Sequence, residues 1–310
     1  MNNLSLFYYS KDTADSKEIG LSYFKFPGGE IQVKISVDDL DEVLEQDNLD
    51  SLQFMAELKS SDDIMTLLLA KDALDRLLVD TYAPPVYANI KYFPYARQDR
   101  VASEGEALSI KVMANLINSC NFDVVKILDP HSEVTPALIN NCQIMPQESG
   151  MFVTLVASLI DNTYPRDIAN YVFVSPDAGA TKKTFGVAKI FSSPYVLQAS
   201  KQRDVKTGKI TGTVLGDYSH IPDITPKKFF VVDDICDGGR TFIELAKLLD
   251  STFDSPEKYL YVSHGIFSHP EGPDVLKPYY EKVFVYNNMF AKNHSSKYPI
   301  LSAYVEPSLD

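Results

Sequence analysis

Two adjacent carboxylates, Asp233 and Asp234, follow the apolar run 229–232 and precede a loop that contains two glycines. This order, which continues into an amphipathic stretch, predicts a buried strand, a tight turn and a helix N-terminus. Glycine allows positive φ, so several backbone N–H groups can converge on one anion at the positive end of the helix dipole. Carboxylates at the strand end can bind a diol. The pattern predicts a site for a phosphorylated sugar, with a phosphate loop formed by Asp237, Gly238, Gly239, Arg240 and Thr241.

A plain strand-to-helix turn is the alternative interpretation of this segment, because glycine-containing loops are common and are weak evidence alone. The paired acids argue against it. Carboxylates buried without partners cost free energy, so two of them after a wholly apolar strand are better explained by a ligand. We therefore favour a functional loop.

A second charged segment follows another apolar strand and consists of Arg97, Gln98, Asp99 and Arg100. Arginine guanidinium groups bind phosphate in a bidentate manner and stack on purine rings. A solvated loop with an Arg–Asp pair is the simpler alternative for such a charged run. Ligands of α/β proteins bind beyond the strand ends, however, so this position favours nucleotide binding.

Two further pairs of residues suit phosphate chemistry. His131 and Asp177 each follow a strand and could together hold Mg²⁺ at a lobe interface, although a lone histidine is more often structural. Lys201 and Arg203 stand two residues apart, so an extended segment would project both from one face. Cations placed in this way stabilise a transferring phosphoryl group. Taken locally, an exposed basic turn is the better explanation of Lys201 and Arg203.

The bulk composition narrows the function classes. The net charge is −13, from 42 acidic and 29 basic residues, which disfavours a general nucleic-acid binder. The three cysteines match no disulfide or metal spacing, so free thiols in a reducing compartment are expected. Neither a signal peptide nor a run of about 18 apolar residues is evident, so we expect a cytoplasmic chain with no membrane partner.

Short apolar strands alternate with amphipathic helices, which predicts an α/β fold with parallel sheets. At 310 residues the chain suits two domains, and the repeated pattern predicts two similar lobes, 1–150 and 151–310. Segment 38–53 is acidic and ambiguous, and the polar segment 199–216 suggests a hairpin or mobile loop. The predicted strands are 31–35, 85–92, 124–128, 171–174, 195–197, 229–232, 259–262 and 282–286. The predicted helices are 64–79, 109–119, 151–161, 181–191 and 241–250.

Six short segments occur in one order: Phe-x-x-Gly-Glu, Tyr-Ala-Arg-Gln-Asp-Arg, Asp-x-His, Ser-Pro-Asp-x-Gly, Lys-x-Arg, and Val-Val-Asp-Asp with a glycine loop. In this order they resemble the ribose-phosphate pyrophosphokinases, also called phosphoribosyl pyrophosphate (PRPP) synthetases. The resemblance spans about residues 20 to 270. It implies two type I phosphoribosyltransferase-like lobes, each a mainly parallel sheet flanked by helices, and assembly into a homo-oligomer, a dimer or a hexamer. The final residues, about 15 of them, would pack on the N-terminal lobe.

The family reaction moves the β,γ-diphosphoryl group of MgATP onto the C1 hydroxyl of ribose 5-phosphate and releases AMP. By resemblance, Lys201 and Arg203 would be catalytic, and Asp233 and Asp234 would hold the ribose hydroxyls. The loop from Asp237 to Thr241 would bind the 5-phosphate.

The resemblance also assigns the nucleotide site. His131 and Asp177 would serve the Mg²⁺–ATP site. Phe26 and Glu30 would approach adenine from a neighbouring subunit. The remaining ATP-binding residues would be Arg97, Gln98, Asp99 and Arg100.

Three departures from the family pattern bear on substrate and regulation. Arg240 stands in the glycine loop where the family usually has a small residue, and it could bind phosphate or admit a larger 5′-substituent. Segment 27–30 lacks the usual aspartate, and Glu104 and Glu106 stand where the family often has basic residues.

Three alternatives to ribose 5-phosphate pyrophosphorylation follow from these observations. The first is the same chemistry on a 5′-substituted ribose such as ADP-ribose, as in phage-type relatives that rebuild NAD. The second is a non-catalytic, synthetase-associated regulatory subunit, although retention of Lys201, Arg203 and His131 argues against it. The third is a phosphoribosyltransferase that consumes PRPP, which the ATP-type segment 97–100 and the two-lobed length disfavour.

Overall fold

A computed structural model describes residues 3–10, 16–46, 49–79, 83–160, 167–203, 210–221, 228–254 and 256–289. The chain divides into two compact units, with the division between Met145 and Pro146. Each unit is built on one six-stranded sheet.

The first unit begins with a strand in which buried and half-buried residues alternate, and further strands and helices follow it. Its elements are β1 (Leu4–Ser10), β2 (Ser16–Ile19), β3 (Leu21–Lys25), β4 (Ile31–Ile35), α1 (Val37–Leu44), β5 (Leu49–Ala56), α2 (Ser61–Leu78), β6 (Val86–Ile90), α3 (Ser109–Ser119), β7 (Val124–Leu128), α4 (Val134–Leu138) and β8 (Cys142–Met145). The sheet order is β2-β1-β5-β6-β7-β8, and β3 and β4 form a separate antiparallel hairpin. Strands β5 to β8 are parallel, while β1 is antiparallel to both neighbours.

One face of the first sheet carries the core of that unit. Alternate residues of β1 are buried, since successive side chains of a strand point to opposite faces. In β5 the four consecutive residues 51–54 are buried, and Leu52 and Phe54 belong to this core. Helices α1, α2 and α3 pack apolar side chains into the same cluster. The carboxyl ends of β6 and β7 are thereby held at one edge of the sheet.

The second unit repeats this architecture with a fully parallel centre. Its elements are α5 (Gln147–Ile160), β9 (Val172–Ser175), α6 (Thr181–Ile190), β10 (Val196–Arg203), β11 (Ile210–Leu215), β12 (Lys228–Cys236), α7 (Arg240–Phe253), β13 (Glu257–Gly265) and β14 (Lys282–Asn288), with 3₁₀ turns at Ile168–Asn170 and Gly272–Leu276. The sheet order is β11-β10-β9-β12-β13-β14, and only the β10–β11 pair is antiparallel among these strands.

The two faces of the second sheet are packed differently. One face meets α7 through an aliphatic cluster that includes Val231, Val262 and Leu245. On the other face aromatic rings stack: the Phe173 ring centroid lies 5.9 Å from that of Phe230 and 6.0 Å from that of Phe191. Both faces are therefore filled, and the strand ends are where polar side chains can gather.

The predicted α/β fold class, two lobes with mainly parallel sheets flanked by helices, is confirmed. Strands 31–35 and 124–128 and helix 109–119 were predicted with the observed bounds. The ambiguous segment 38–53 divides into most of α1 and the first part of β5. The hairpin expected within 199–216 is present as the antiparallel β10–β11 pair, although the residues expected to form its turn lie outside the described part.

Several predicted bounds were wrong. Strand 195–197 continues to Arg203 because β11 pairs with its second half, and helix 151–161 begins earlier, at Gln147 directly after Pro146. Strands β1, β2, β3, β5, β8 and β11 were not predicted as strands. The expected packing of the final residues, and residue Asp161, lie outside the described residues. In the part of the chain that the structure describes, no helix has the length and apolarity needed to cross a membrane.

Candidate functional site

Strand β12 carries Asp233 and Asp234 to the carboxyl edge of the second sheet. The prediction that this strand ends at Val232 was wrong, because pairing with β13 continues to Cys236. Both carboxylates are therefore strand residues, and strand geometry directs them to opposite faces of the sheet. Asp233 is half-buried, and Asp234 is buried on the face that also carries Phe230 and Val232.

The two carboxylates share one electrostatic environment. The backbone N–H of Asp234 donates to Oδ1 of Asp233 over 2.9 Å. Burial, and then the adjacent Asp234 charge, raise the pKa of Asp233 well above its usual range, with a smaller contribution from Asp177. The pair therefore holds a proton more readily than two isolated aspartates, and can both donate to and accept from a diol.

The loop after β12 has the backbone form that its glycines predicted. Of the two, Gly239 takes a positive φ of 78°, and its carbonyl accepts from the N–H groups of Phe242 and Ile243, both at 3.1 Å. A Cβ at Gly239 would lie 3.3 Å from Leu276, whereas one at Gly238 would meet no atom within 4 Å. The loop is thus packed on one side by the 3₁₀ turn and open on the other, as an anion-binding helix N-terminus requires.

Arg240 begins α7 and points its guanidinium along the exposed face of that helix. Its Nε donates to Oε1 of Glu244 over 2.7 Å, and this pairing raises the pKa of Arg240. The side chain is 89% exposed, so its other guanidinium nitrogens lie near solvent beside the loop. Thr241 is half-buried in the next position.

The end of β13 supports the loop in a way that the sequence did not reveal. The N–H groups of Ile266 and Phe267 both donate to the carbonyl of Cys236, the residue before the loop. Phe267 is buried and has a φ of 50°, an uncommon value for a non-glycine residue. A Cβ at Gly265 would lie 2.2 Å from the Phe267 ring, so this glycine is required for the ring's position.

Asp177 organises the loop between β9 and α6. Its Oδ1 accepts from the N–H groups of Gly179, at 2.9 Å, and Ala180, at 3.2 Å. Its Oδ2 lies 3.9 Å from Nζ of Lys201 near the end of β10. The structure therefore brings Asp177 and Lys201 together, and the side chain of Arg203 lies outside the described part.

Lys183 was missed by the sequence reasoning. It lies in the first turn of α6, and its Nζ is 4.0 Å from Oδ2 of Asp234. A signal was available, since Lys182 and Lys183 both occupy the first turn, where the helix dipole disfavours cations.

The predicted nucleotide residues of the first unit follow neighbouring strands. After β6, Phe93 and Ala96 are buried and anchor a turn in which Tyr95 has a φ of 63°. The turn presents Arg97, Gln98 and Arg100 as exposed side chains, with Asp99 half-buried. After β7, the exposed His131 follows the buried Asp129, whose N–H donates to the Met145 carbonyl over 2.8 Å. Both loops leave the same edge of the sheet.

The β3–β4 hairpin carries the two residues expected to approach adenine. The N–H of Phe26 donates to the carbonyl of Glu30 over 2.7 Å, and Gly29 takes a φ of 98° at the tip. The Phe26 ring is exposed and lies 4.7 Å, between centroids, from the ring of Phe24. The hairpin thus joins Phe26 and Glu30 and displays an aromatic pair.

The donor groups near the strand ends limit how a metal ion could be held. Among the residues that the structure describes, no three His, Cys, Asp or Glu side chains are grouped to hold a metal ion. Mg²⁺ commonly uses one or two carboxylates together with substrate phosphates and water, so a single carboxylate is compatible with it. The Oδ2 of Asp177 fits that role, because Oδ1 is the oxygen that the loop uses.

The chain has two α/β units, and the second carries paired carboxylates and a glycine loop at its strand ends. These features define a protein of the type I phosphoribosyltransferase-like fold. The structure of phosphoribosylpyrophosphate synthetase from Mycobacterium smegmatis is similar, with a TM-score of 0.64 and 21% identity, covering 86% of this chain and 80% of that one. Residues 12–120 match the model for the N-terminal domain of ribose phosphate pyrophosphokinase.

Sequence relatives carry the same name. A ribose-phosphate pyrophosphokinase of Cereibacter sphaeroides is 32% identical over 219 residues, which are 70% of this chain and 60% of that protein's length. A putative ribose-phosphate pyrophosphokinase 2 of Streptococcus pyogenes is 28% identical over 248 residues, 80% of this chain and 69% of the relative. Over these ranges the chain is similar to ribose-phosphate pyrophosphokinases, and it spans 60% of the length of the Cereibacter sphaeroides relative.

Proposed function

We propose that the protein transfers the β,γ-diphosphoryl group of MgATP to the C1 hydroxyl of ribose 5-phosphate, forming PRPP and releasing AMP. One observation carries the proposal: the Lys201–Asp177 pair, the two β12 carboxylates and the glycine loop lie at the carboxyl ends of three neighbouring strands. The strand order β10-β9-β12 makes them adjacent along one edge. In open α/β sheets, ligands bind beyond this edge.

The acceptor would be held by groups of the second unit. The β12 carboxylates bind the ribose hydroxyls, and the N–H groups at the start of α7 bind the 5-phosphate with help from the helix dipole. Because the pKa of Asp233 is raised, the carboxylate pair can keep a proton and offer both a donor and an acceptor to the diol.

Phosphoryl transfer depends mainly on alignment and on neutralising the phosphate oxygens, with little covalent participation by the protein. Lys201 supplies a positive charge near the carboxylates, and Arg203 is assigned to the same task by the family pattern. Asp177, and His131 by resemblance, would hold Mg²⁺, which supplies further charge neutralisation at the phosphate oxygens when it is bound.

The nucleotide is assigned to the exposed side chains of the first unit. Arg97 and Arg100 suit bidentate phosphate contacts and stacking on a purine, and Gln98 adds hydrogen bonds to them. The exposed aromatic pair of the β3–β4 hairpin suits adenine, and we assign that contact to a neighbouring subunit of a homo-oligomer.

A 5′-substituted ribose such as ADP-ribose is the second candidate acceptor, and Arg240 favours it. Its guanidinium uses Nε for Glu244 and is 89% exposed beside the open side of the glycine loop. A guanidinium in that place can bind a second phosphate attached to the ribose 5-oxygen. The reaction at C1 would be unchanged.

Measuring AMP release from ATP with ribose 5-phosphate and with ADP-ribose tests both candidates. Activity with ribose 5-phosphate supports the main proposal, and activity confined to ADP-ribose moves the assignment to the second. Arg240→Ala should reduce use of ADP-ribose while sparing ribose 5-phosphate, if the second candidate is correct. Absence of AMP with both acceptors would leave the non-catalytic regulatory subunit as the better assignment.

A further inference from the structure

The first turn of α6 contains a charge pattern that helix energetics do not explain. Lys182 and Lys183 stand there and no acidic residue accompanies them, although helix N-termini favour negative charge. Two positive charges at the positive end of the helix dipole are unfavourable unless a negative group lies nearby. The partner that the structure supplies for Lys183 belongs to the candidate site.

Lys183 approaches the carboxylate pair from the aromatic face of the sheet. Its Nζ lies 4.0 Å from Oδ2 of Asp234, and the two side chains are 28% and 10% exposed. Helix α6 covers that face, since Phe191 at its end stacks on Phe173. An ionised carboxylate buried to this degree is stabilised by a nearby positive charge.

Other charged groups surround the pair. Lys201 pairs with Asp177, and the negative charge of Asp177 contributes to raising the pKa of Asp233. Lys201 and Asp177 lie on neighbouring elements at the same edge of the sheet. The loop after β12 adds Asp237, and His264 on β13 pairs in register with Ile235. Loss of Lys183 would remove a positive charge that lies 4.0 Å from the Asp234 carboxylate.

We propose that Lys183 is a positioning residue: its ammonium holds the Asp234 carboxylate in the orientation that receives a hydroxyl of the sugar acceptor. The inference rests on the proposed function, because it takes the β12 carboxylates as the diol site. The raised pKa of Asp233 agrees with it, since the neighbouring Asp234 charge is one cause of that shift after burial.

The test is acceptor binding measured by calorimetry without ATP, using Lys183→Met and the conservative Lys183→Arg. We expect Lys183→Met to weaken ribose 5-phosphate binding about tenfold, the scale of a lost charge-assisted interaction, and Lys183→Arg to restore most of it. Lys189→Met is the matched control, because it removes the same charge from an exposed position at the other end of α6 and should leave binding unchanged.

A substrate analogue separates positioning from a general structural effect. Ribose 5-phosphate and 2-deoxyribose 5-phosphate differ by one hydroxyl of the diol, so the loss caused by Lys183→Met should shrink with the deoxy sugar. In an Asp234→Asn background, Lys183→Met should cause no further loss. Equal losses for both sugars, or additive losses in the double variant, would overturn the inference.

The outcomes also separate this inference from the proposed function. If the parent protein binds neither ribose 5-phosphate nor ADP-ribose, the proposed function and the inference are both wrong. If the parent binds and Lys183→Met binds equally well, the inference alone is wrong. Should Lys183→Met fail to fold, Lys183→Gln takes its place with the same expected loss and the same deoxy-sugar comparison.

Discussion

At the scale of single residues, position on a strand decides what each charged group can do. Asp233 and Asp234 are neighbours in sequence, yet strand alternation gives them different faces and different partners. Asp234 has Lys183 at 4.0 Å, and Asp233 accepts the Asp234 N–H and has a raised pKa. Two identical side chains thereby differ in their burial and in their partners.

The catalytic assignment of Lys201 predicts a specific kinetic effect. Lys201→Ala should lower kcat by about 100-fold or more while changing the KM for ATP much less, because a cation aimed at developing charge acts mainly in the transition state. Steady-state AMP release measures both constants. Lys228→Ala, which removes a lysine at the other end of the sheet, is the control and should keep the parent kcat. An unchanged kcat for Lys201→Ala would remove this residue from the mechanism.

The raised pKa of Asp233 predicts how stability depends on pH. A carboxyl whose pKa is higher in the folded than in the unfolded state binds more protons when folded, so its contribution is favourable at low pH. That contribution is lost as pH rises from about 4, the unfolded value, through the folded pKa. The Asp233→Asn variant should therefore lose less stability than the parent between acid and neutral pH, as measured by urea unfolding.

Asp217→Asn provides the control for that experiment. Asp217 is exposed and the Ser219 N–H lowers its pKa, so its contribution is complete above about pH 4 and adds no slope at higher pH. An Asp233→Asn variant whose stability depends on pH as the parent's does would contradict the assignment.

At the scale of elements, the glycine loop depends on a neighbouring strand end. Ile266 and Phe267 donate to the carbonyl of Cys236, and the Phe267 ring occupies the space over Gly265. The left-handed φ of Phe267 is a strained conformation that the surrounding packing must hold.

Gly265→Ala should destabilise the protein by about 1–3 kcal/mol, because the new methyl group would force a buried ring to move. Since the Phe267 backbone N–H donates to the carbonyl of the residue before the loop, ribose 5-phosphate binding should weaken as well. Chemical unfolding and calorimetry measure the two effects. Gly212→Ala on β11 is the control, since a Cβ there meets nothing within 4 Å. Parent-like stability of Gly265→Ala would show that the ring does not occupy this space.

The sequence predicted the elements whose burial follows a simple period. Helix 109–119 and strand 124–128 were placed at their observed bounds because apolar residues recur on one face of each. Strand β12 was ended too early, since polar residues such as Asp233 do not signal the continued pairing that β13 provides. Strands β1 to β3 were missed because β1 mixes Ser and Tyr with aliphatic residues and β3 is largely exposed.

The candidate site was predictable where chemistry lies in a short segment, as in the glycine loop and its left-handed Gly239. It was not predictable where contacts join distant segments. The approach of Lys183 to Asp234 and the support of Cys236 by Phe267 both depend on tertiary pairing of α6 or β13 with β12.

At the scale of the whole molecule, an excess of acidic residues is compatible with a local group of basic residues that binds a nucleotide. A net charge of −13 applies to the surface as a whole, whereas the proposed nucleotide contacts come from a few exposed arginines after β6. The β3–β4 hairpin displays Phe24 and Phe26 to solvent within its own unit, which is the arrangement expected if a second copy of the chain supplies their binding partner.

A site shared between subunits predicts complementation between two inactive variants. Phe26→Ala would lack the adenine contact, and Lys201→Ala would lack the transferring cation. If Phe26 serves a neighbouring subunit's site, a mixed assembly contains some sites with both native residues. After denaturation and refolding together, the mixture should regain roughly a quarter of parent activity for randomly assorted dimers.

The same mixing experiment includes its own check on assembly. Mass spectrometry of the native complexes should detect both variants in one particle, and each variant refolded alone should stay inactive. Mixed particles that form without any AMP release would place Phe26 and Lys201 in one subunit's site, because no combination of the two chains could then restore a complete one. Full activity of Phe26→Ala alone would instead remove the hairpin aromatic from nucleotide binding.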